Sequence, residues 1–142
     1  MLGYLDKPSS TAAMKDDDGW LYTGDIGYFD ENEYTYIVDR MKELIKVSGL
    51  QVAPAELEAL LLTHPKIKDS AVIGIPHKKK GEVPRAYVVV SNDGGEEDIT
   101  EDEIKAFVAT KSAPYKQLKG GVEFVKEIPK SASGKILRRL LR

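Results

Sequence analysis

Residues 34–54 constrain the fold more than any other stretch of the chain. The side chains of residues 34–38 alternate between two faces, which predicts a β-strand. Farther along, Ser48-Gly49 supplies the backbone freedom of a tight turn between two short apolar segments, which predicts a hairpin. Pro54 then suits the first position of a helix. The stretch therefore predicts a strand, a hairpin and a helix start in succession.

The helix predicted from Pro54 carries an apolar stripe made by Leu57, Leu60 and Leu61 and ends at Pro65. Glu56 and Glu58 are predicted to lie in its first turn, where negative charge is favourable against the helix dipole.

A second helix is predicted from Thr100, because residues 100–103 read Thr-Glu-Asp-Glu and form a capping box. Its core-facing stripe is Ile104, Phe107 and Val108. An acidic, glycine-containing linker is predicted before it, at 91–98.

Strands rich in Val, Ile and Tyr are predicted at 70–75 and 85–90, with a shorter one at 122–125. The lysine-rich segment 76–84 between the first two is interpreted as a solvated loop rather than as a phosphate-binding one. Residues 20–22 are predicted to form a strand that runs into the turn Thr23-Gly24-Asp25.

Composition excludes several classes of function. The 142 residues can bury one sizeable core. A net charge of −2 argues against a general nucleic-acid binder, and the absence of cysteine removes disulfides and thiolate metal sites. Two histidines are too few for a histidine-rich site, so no metal site is predicted. No apolar run approaches a membrane span and the start has no signal-peptide pattern, so a cytoplasmic location is expected.

Residues 129–139, Pro-Lys-Ser-Ala-Ser-Gly-Lys-Ile-Leu-Arg-Arg, form the last distinctive motif. A phosphate-binding loop of nucleotide hydrolases would need Gly where Pro129 stands and Ser or Thr where Ile136 stands, so that comparison fails. An amphipathic membrane helix is the other alternative, but the segment is too short to bind a membrane alone. What remains is Lys135 at the tip of a small-residue loop.

Four segments together resemble the adenylate-forming enzymes, in particular the 4-coumarate–CoA ligases, fatty acyl-CoA synthetases and beetle luciferases. The string from Asp39 to Glu58 resembles the segment that joins the two domains of these enzymes. The others are the Gly-Tyr-x-x-x-Pro-x-x-Thr element at 3–11, Thr23-Gly24-Asp25, and Pro-Lys-x-x-x-Gly-Lys-Ile at 129–136.

This resemblance implies that the chain is the C-terminal part of a longer enzyme. Residues 1–39 would be the trailing β segment of a large N-terminal domain, ending in a hinge at Asp39. Residues 40–142 would be a mobile lid of α+β class, with a three-stranded sheet, a short hairpin and flanking helices.

The resemblance also implies a two-step acid–thiol ligase. A carboxylic acid attacks ATP to give an acyl-adenylate, and coenzyme A then displaces AMP to give a thioester. ATP, Mg²⁺, coenzyme A and the acid would bind mainly with the large domain, so this chain alone is predicted to be inactive.

Residue roles follow from the same resemblance. Lys135 would be the adenylation lysine, and Lys46 and Gln51 would also be catalytic. The nucleotide would be bound by Asp25 and Arg40 at the ribose and by Lys42, Lys46 and Lys135.

Coenzyme A would meet the hairpin at Ser48, Gly49 and Leu50. Relatives usually carry Lys where Ser48 stands, which leaves the Gly49 backbone as the principal contact.

Two alternatives stay open. A luciferase-like enzyme would oxidise its adenylate with oxygen, and residues 118–122 have some of that character. The other alternative is a folded module with no activity of its own.

Overall fold

The computed structural model of the chain describes residues 2–91 and 99–142. Its first part holds a short helix, α1 (Pro8–Ala12), and a two-stranded antiparallel sheet formed by β1 (Asp25–Phe29) and β2 (Thr35–Arg40). Strand β2 confirms the strand predicted at residues 34–38. The strand predicted at 20–22 is wrong: only an isolated bridge between Lys15 and Leu21 forms there, because no described strand lies alongside.

The second part is a mixed sheet of five strands with two helices. Its elements are β3 (Ile45–Val47), β4 (Leu50–Val52), α2 (Pro54–Leu62), β5 (Ile67–His77), β6 (Gly81–Val90), α3 (Glu101–Lys111) and β7 (Val122–Phe124). Short 3-10 helices lie between α3 and β7, at Pro114–Lys116, and after β7, at Arg138–Leu140. The linker predicted at 91–98 lies, apart from Ser91, outside the described residues.

The strand order is β4-β3-β6-β5, with β7 parallel to β6. One edge of β6 pairs with β5, and the other is shared by β3 at Gly81 and β7 at 86–88. The α+β prediction is therefore confirmed. The hairpin predicted at Ser48-Gly49 is β3–β4. It joins the sheet of β5, β6 and β7 through the pair Val47–Gly81.

Side chains on opposite faces of β5 enter two different apolar clusters. Val72 packs with α2, α3 and the β3–β4 hairpin in the main core, which includes Leu57, Leu61 and Ile104. Ile73 faces the other way, toward Ile128. Val72 and Ile73 point to opposite faces because strand side chains alternate with a period of two. The helices cover the first face, and the C-terminal tail covers the second.

The prediction of a loop over residues 76–84 is wrong for most of its length. Pairing between β5 and β6 continues through Gly74–Pro84 to His77–Gly81, which leaves a turn of only three residues, Lys78–Lys80. Gly81 has a φ of +77°, the left-handed conformation that lets such a short loop close. The lysine run itself is confirmed as an accessible turn.

Both predicted helices form. The capping box of α3 is complete, because the Glu103 N–H donates to Thr100 Oγ1 (3.3 Å) and the Thr100 N–H donates to Glu103 Oε2 (2.7 Å). In α2, Glu56 lies in the first turn as predicted, whereas Glu58 lies one turn in and is buried. Its charge therefore does not serve the helix dipole.

The C-terminal residues form no α-helix after Lys135; the short 3-10 turn at Arg138–Leu140 takes its place. Leu141 packs in the second cluster, and its carbonyl accepts a 2.7 Å hydrogen bond from the Tyr87 hydroxyl. None of the helices in the described residues is both long enough and apolar enough to span a bilayer.

Replacing Thr100 with Ala should lower the free energy of unfolding by about 1 kcal/mol at pH 7, since a helix-capping side chain is lost. Hydrogen bonds from the Thr100 N–H and hydroxyl lower the pKa of Glu103 in the folded chain. The bonds made by the carboxylate are therefore present above the unfolded pKa of Glu103 and lost as the pH falls through the folded one. Denaturant unfolding should therefore show a smaller difference in the free energy of unfolding between wild type and variant at pH 3 than at pH 7.

Thr110→Ala is the matched control, because the Thr110 hydroxyl donates to the Phe107 carbonyl within the same helix and caps nothing. A Thr100 variant no less stable than the Thr110 variant at pH 7 would contradict the role of the box.

Candidate functional site

The predicted ribose ligands Asp25 and Arg40 lie side by side. They are opposite residues in the register of β1 and β2, and Arg40 Nε lies 2.8 Å from Asp25 Oδ1. The sequence brings them together because the turn after β1 returns the chain antiparallel, so the first residue of β1 meets the last of β2. Both side chains remain accessible, and no described residue donates a hydrogen bond to Asp25 Oδ2. That oxygen is free to accept from a ligand hydroxyl.

Next to this pair lies an open hollow of about 920 Å³. Thr23, Gly24 and Asp25 line one side and Lys42 lines another. The Met41 N–H donates to the Gly24 carbonyl (2.8 Å), which fixes the chain entering Lys42 against the Thr-Gly-Asp turn. Three predicted nucleotide ligands, Asp25, Arg40 and Lys42, are therefore grouped at the end of one small sheet.

The predicted hinge residue Asp39 makes two backbone hydrogen bonds with its carboxylate. Oδ1 accepts from the Arg40 N–H (2.7 Å) and Oδ2 accepts from the Ala55 N–H (3.1 Å) in the first turn of α2. The residue at the N-cap position of α2 is Ala53, whose side chain has no hydrogen-bond acceptor. Asp39 therefore caps α2 from a distance in sequence, a role that helix-local patterns could not show.

Lys46 and Gln51 are opposite residues in the β3–β4 hairpin. Ile45 and Val52 form the adjacent pair and are buried, so alternation turns Lys46 and Gln51 to the exposed face. The Lys46 backbone N–H donates to Glu82 Oε2 (2.9 Å), which ties the hairpin to β6. The two predicted catalytic side chains thus share one accessible surface on a fixed support.

The hairpin turns at Ser48 and Gly49, which have φ angles of +51° and +85°. Left-handed conformation at both central residues matches the right-handed twist of a two-residue hairpin. Apart from its two chain neighbours, no residue that the structure describes has an atom within 4 Å of the position that a Gly49 Cβ would occupy. Glycine is therefore required here by backbone conformation, and its backbone is open to a ligand. Leu50, the third predicted coenzyme A contact, is 51% exposed.

Lys135 lies in a tight turn. The Ser131 N–H donates to the Lys135 carbonyl (2.8 Å), and the Lys135 N–H donates to Ser131 Oγ (3.2 Å). Gly134 closes the turn with a φ of +79°. The Lys135 side chain is exposed and has no ion-pair partner within residues 2–91 and 99–142. Hydrogen bonds therefore fix the Lys135 backbone, while its ammonium group forms no ion pair with any described residue.

The predicted site residues therefore lie on three supports: the end of the β1–β2 sheet, the β3–β4 hairpin and the turn at 131–135. Among the described residues, no hydrogen bond or ion pair joins Lys135 to Asp25, Arg40 or Lys46. Residues on these three supports can act on one ligand only if the supports come together around that ligand.

One element of the site was missed by the sequence analysis. Glu58 and Arg138 form a largely buried ion pair, with Arg138 Nη2 2.8 Å from both carboxylate oxygens. The available signal was the position of Glu58 between Leu57 and Leu61, inside the apolar stripe of α2. A charged residue there needs a partner from elsewhere in the fold.

Residues 118–122, which motivated the luciferase alternative, have structural reasons for their composition. Leu118 is buried in the main core. A Cβ at Gly120 would lie 2.7 Å from the Pro84 carbonyl oxygen, so the close approach of this segment to β6 requires glycine. The composition is explained by packing.

A family model described as the AMP-binding enzyme C-terminal domain matches residues 56–135. The chain is 57% identical over all its 142 residues to 4-coumarate–CoA ligase 1 of Glycine max. It spans about half the length of that relative (47%).

Solved structures show the same architecture. ATP-bound MatB from Rhodopseudomonas palustris is similar to 99% of the chain, with a TM-score of 0.89, 34% sequence identity and 27% of MatB covered. The apo form of MatB also matches 99% of the chain and 27% of MatB, at 35% identity, but with a TM-score of 0.70. This structure is therefore more similar to the ATP-bound form of MatB than to the apo form.

Replacing Asp39 with Ala should lower the free energy of unfolding by about 1 kcal/mol, because the first turn of α2 loses its acceptor. Asp39→Asn keeps an acceptor oxygen and should lose less, since only the favourable charge at the helix N-terminus is removed. Denaturant unfolding of the two variants tests this expectation. Equal losses would show that the contact with Ala55 does not stabilise the helix.

Proposed function

Because the chain belongs to the AMP-binding enzyme family and contains its C-terminal domain, we propose that it is the C-terminal part of an ATP-dependent acid–thiol ligase of the 4-coumarate–CoA ligase type, acting in the cytoplasm. A carboxylate attacks the α-phosphate of ATP, which gives an acyl-adenylate and releases pyrophosphate. The thiol of coenzyme A then attacks the acyl carbon and AMP leaves. The similarity over the whole chain to a 4-coumarate–CoA ligase carries this proposal.

Residues 1–39 are proposed as the end of a preceding large domain and as the hinge, and residues 40–142 as the lid. The exposed aromatic side chains of the first segment support this division, since they include Trp20 at 74% and Phe29 at 73% exposure. Patches of this kind mark surfaces that are covered in an assembly. The acid, ATP and coenzyme A would bind between the two domains.

In the first step, negative charge grows on the phosphoryl oxygens and on the leaving pyrophosphate. Lys135 supplies a movable positive charge on a flexible stem, held by a rigid turn. Asp25 and Arg40 hold the ribose hydroxyls, while Lys42, Lys46 and Gln51 border the adenylate. The unpaired ammonium of Lys135 supports this assignment, because no ion pair must be broken before it reaches the phosphates.

The second step requires a different face of the lid. Rotation about Asp39 would withdraw Lys135 and bring the exposed tip at Ser48, Gly49 and Leu50 toward the acyl-adenylate. The open backbone of Gly49 suits the narrow pantetheine arm of coenzyme A. The two TM-scores against MatB support such a pivot, because a rotation of residues 40–142 relative to residues 1–39 would produce a difference of that kind.

The described residues do not fit a resident metal. No group of three His, Asp or Glu side chains among them could hold one. Mg²⁺ is therefore proposed to arrive with ATP and to be held outside this chain, and no role for these residues is assigned through it.

In the full-length enzyme, Lys135→Ala should slow adenylate formation by roughly 10²–10³-fold, the range for losing one transition-state donor. Thioester formation from a supplied acyl-adenylate should remain nearly unchanged, because Lys135 serves only the first orientation. Separate assays of the two half-reactions measure both effects. Equal slowing of the two halves would contradict the moving-lid assignment.

Asp39→Pro should show the opposite selectivity, because a fixed φ at the pivot blocks rotation. Asp39→Ala is the matched control: it loses the same carboxylate cap on α2 but keeps backbone freedom, so it should retain the thiol step. Lys46→Ala should affect the thiol step at least as much as the first. If Asp39→Ala and Asp39→Pro slowed the thiol step equally, the carboxylate rather than the pivot would be responsible.

The isolated chain 1–142 should fold and yet catalyse no adenylation, because the phosphate loop and the acyl pocket belong to the preceding domain. Circular dichroism reports the fold, and pyrophosphate exchange with a panel of carboxylic acids reports the activity. Robust exchange by this chain alone would overturn the proposed division of labour.

A further inference from the structure

The C-terminal tail that carries Lys135 is fixed by side chains rather than by a helix or a long strand. After the buried Ile128, its regular backbone pairing consists of the bridge between Lys130 and Ile136 and the short turn at 138–140. The direction in which Lys135 projects therefore depends on how the ends of residues 131–135 are anchored.

Arg138 provides the anchor on the C-terminal side. Its Nη2 atom lies 2.8 Å from both Glu58 oxygens, and its Nε–H donates to the Val72 carbonyl (3.3 Å). The guanidinium is planar, so bonds from two of its nitrogens fix its orientation as well as its position. Arg138 follows Lys135 by only three residues, which transmits that orientation to the turn.

Glu58 provides the other half of the anchor. Its side chain is only 11% exposed, and Oε1 also accepts from the Val72 N–H (2.8 Å). Burial raises the pKa of Glu58, against the opposing effects of the Val72 hydrogen bond and the Arg138 charge. One carboxylate thus ties together α2, β5 and the tail.

A buried ion pair adds little net stability compared with well-packed apolar side chains, because both charges lose their hydration. What this ion pair contributes instead is a fixed orientation of the chain segment that follows Lys135. A second pair, Lys130 Nζ to Asp69 Oδ2 at 2.5 Å, holds the N-terminal side of the same turn to β5. The turn is therefore clamped at both ends while its tip stays free.

We propose that the Glu58–Arg138 pair is a positioning device that aims Lys135 at the phosphates of ATP in the adenylation step. Glu58 and Arg138 are positioning residues and act only through Lys135. The inference rests on the adenylation role proposed for Lys135. Displacement of a catalytic group by about 1 Å can cost roughly 10²-fold in rate, so losing a clamp end is expected to be visible in kcat.

The test uses the full-length enzyme and both half-reactions. Glu58→Gln should slow adenylate formation by about 10- to 100-fold and leave thioester formation from a supplied acyl-adenylate nearly unchanged. Glu56→Gln is the matched control, since Glu56 lies on the same helix and pairs with Lys116 instead of the tail, at 2.5 Å. It should leave both half-reactions at the wild-type rate.

A double-mutant cycle separates positioning from general damage. In the Lys135→Ala background, Glu58→Gln should cause no further loss of adenylation, because the group it aims is already absent. Arg138→Lys, which keeps the charge but loses the fork, gives a second and milder variant that should follow the same pattern.

Additive losses in the Lys135→Ala background, or equal slowing of both half-reactions by Glu58→Gln and Arg138→Lys, would overturn the positioning role. If Lys135→Ala itself left adenylation intact, the proposed function of Lys135 would fail first, and the positioning role with it.

Discussion

The ladder between β5 and β6 is the interaction on which the rest of the second part of the chain depends. It runs from Ile67–Val90 to His77–Gly81 and gives the chain one long, two-faced surface. Helices α2 and α3 cover one face, and the tail with Lys135 covers the other. The hairpin β3–β4 attaches at the end of β6 beside the lysine turn. Every proposed site residue from Lys46 onward is placed by this sheet, directly or through one neighbouring element.

Much of this could be predicted from the sequence because the signals are local. The capping box at Thr100, the apolar stripe of α2 and the Ser48-Gly49 turn each depend on residues within a few positions. The strands predicted at 70–75 and 85–90 are shorter than the observed β5 and β6, since Pro76 and Pro84 suggest a loop when no partner strand is known. Whether a proline fits a strand depends on which neighbour its missing N–H would have met, and this is set by register.

The parts that could not be predicted join residues far apart in the chain. Asp39 caps α2 across 16 positions, and Arg138 reaches Glu58 across 80. Neither partner carries a pattern that points to the other. Assignment of Asp25, Arg40 and Lys135 depended on resemblance to whole motifs rather than on spacing, and the structure adds that the first two are cross-strand neighbours.

The tip of the β3–β4 hairpin has a consequence of an entropic kind. The Ser48 N–H donates to the Lys80 carbonyl (2.7 Å), so this two-residue turn is stapled to the lysine turn at the end of the long ladder. A free hairpin tip would lose conformational freedom whenever a ligand docked on it, and that loss would weaken binding. Here the ordering takes place during folding. A slender, flexible ligand would therefore meet a surface that is already immobile, and nearly all the entropy lost on association would be its own.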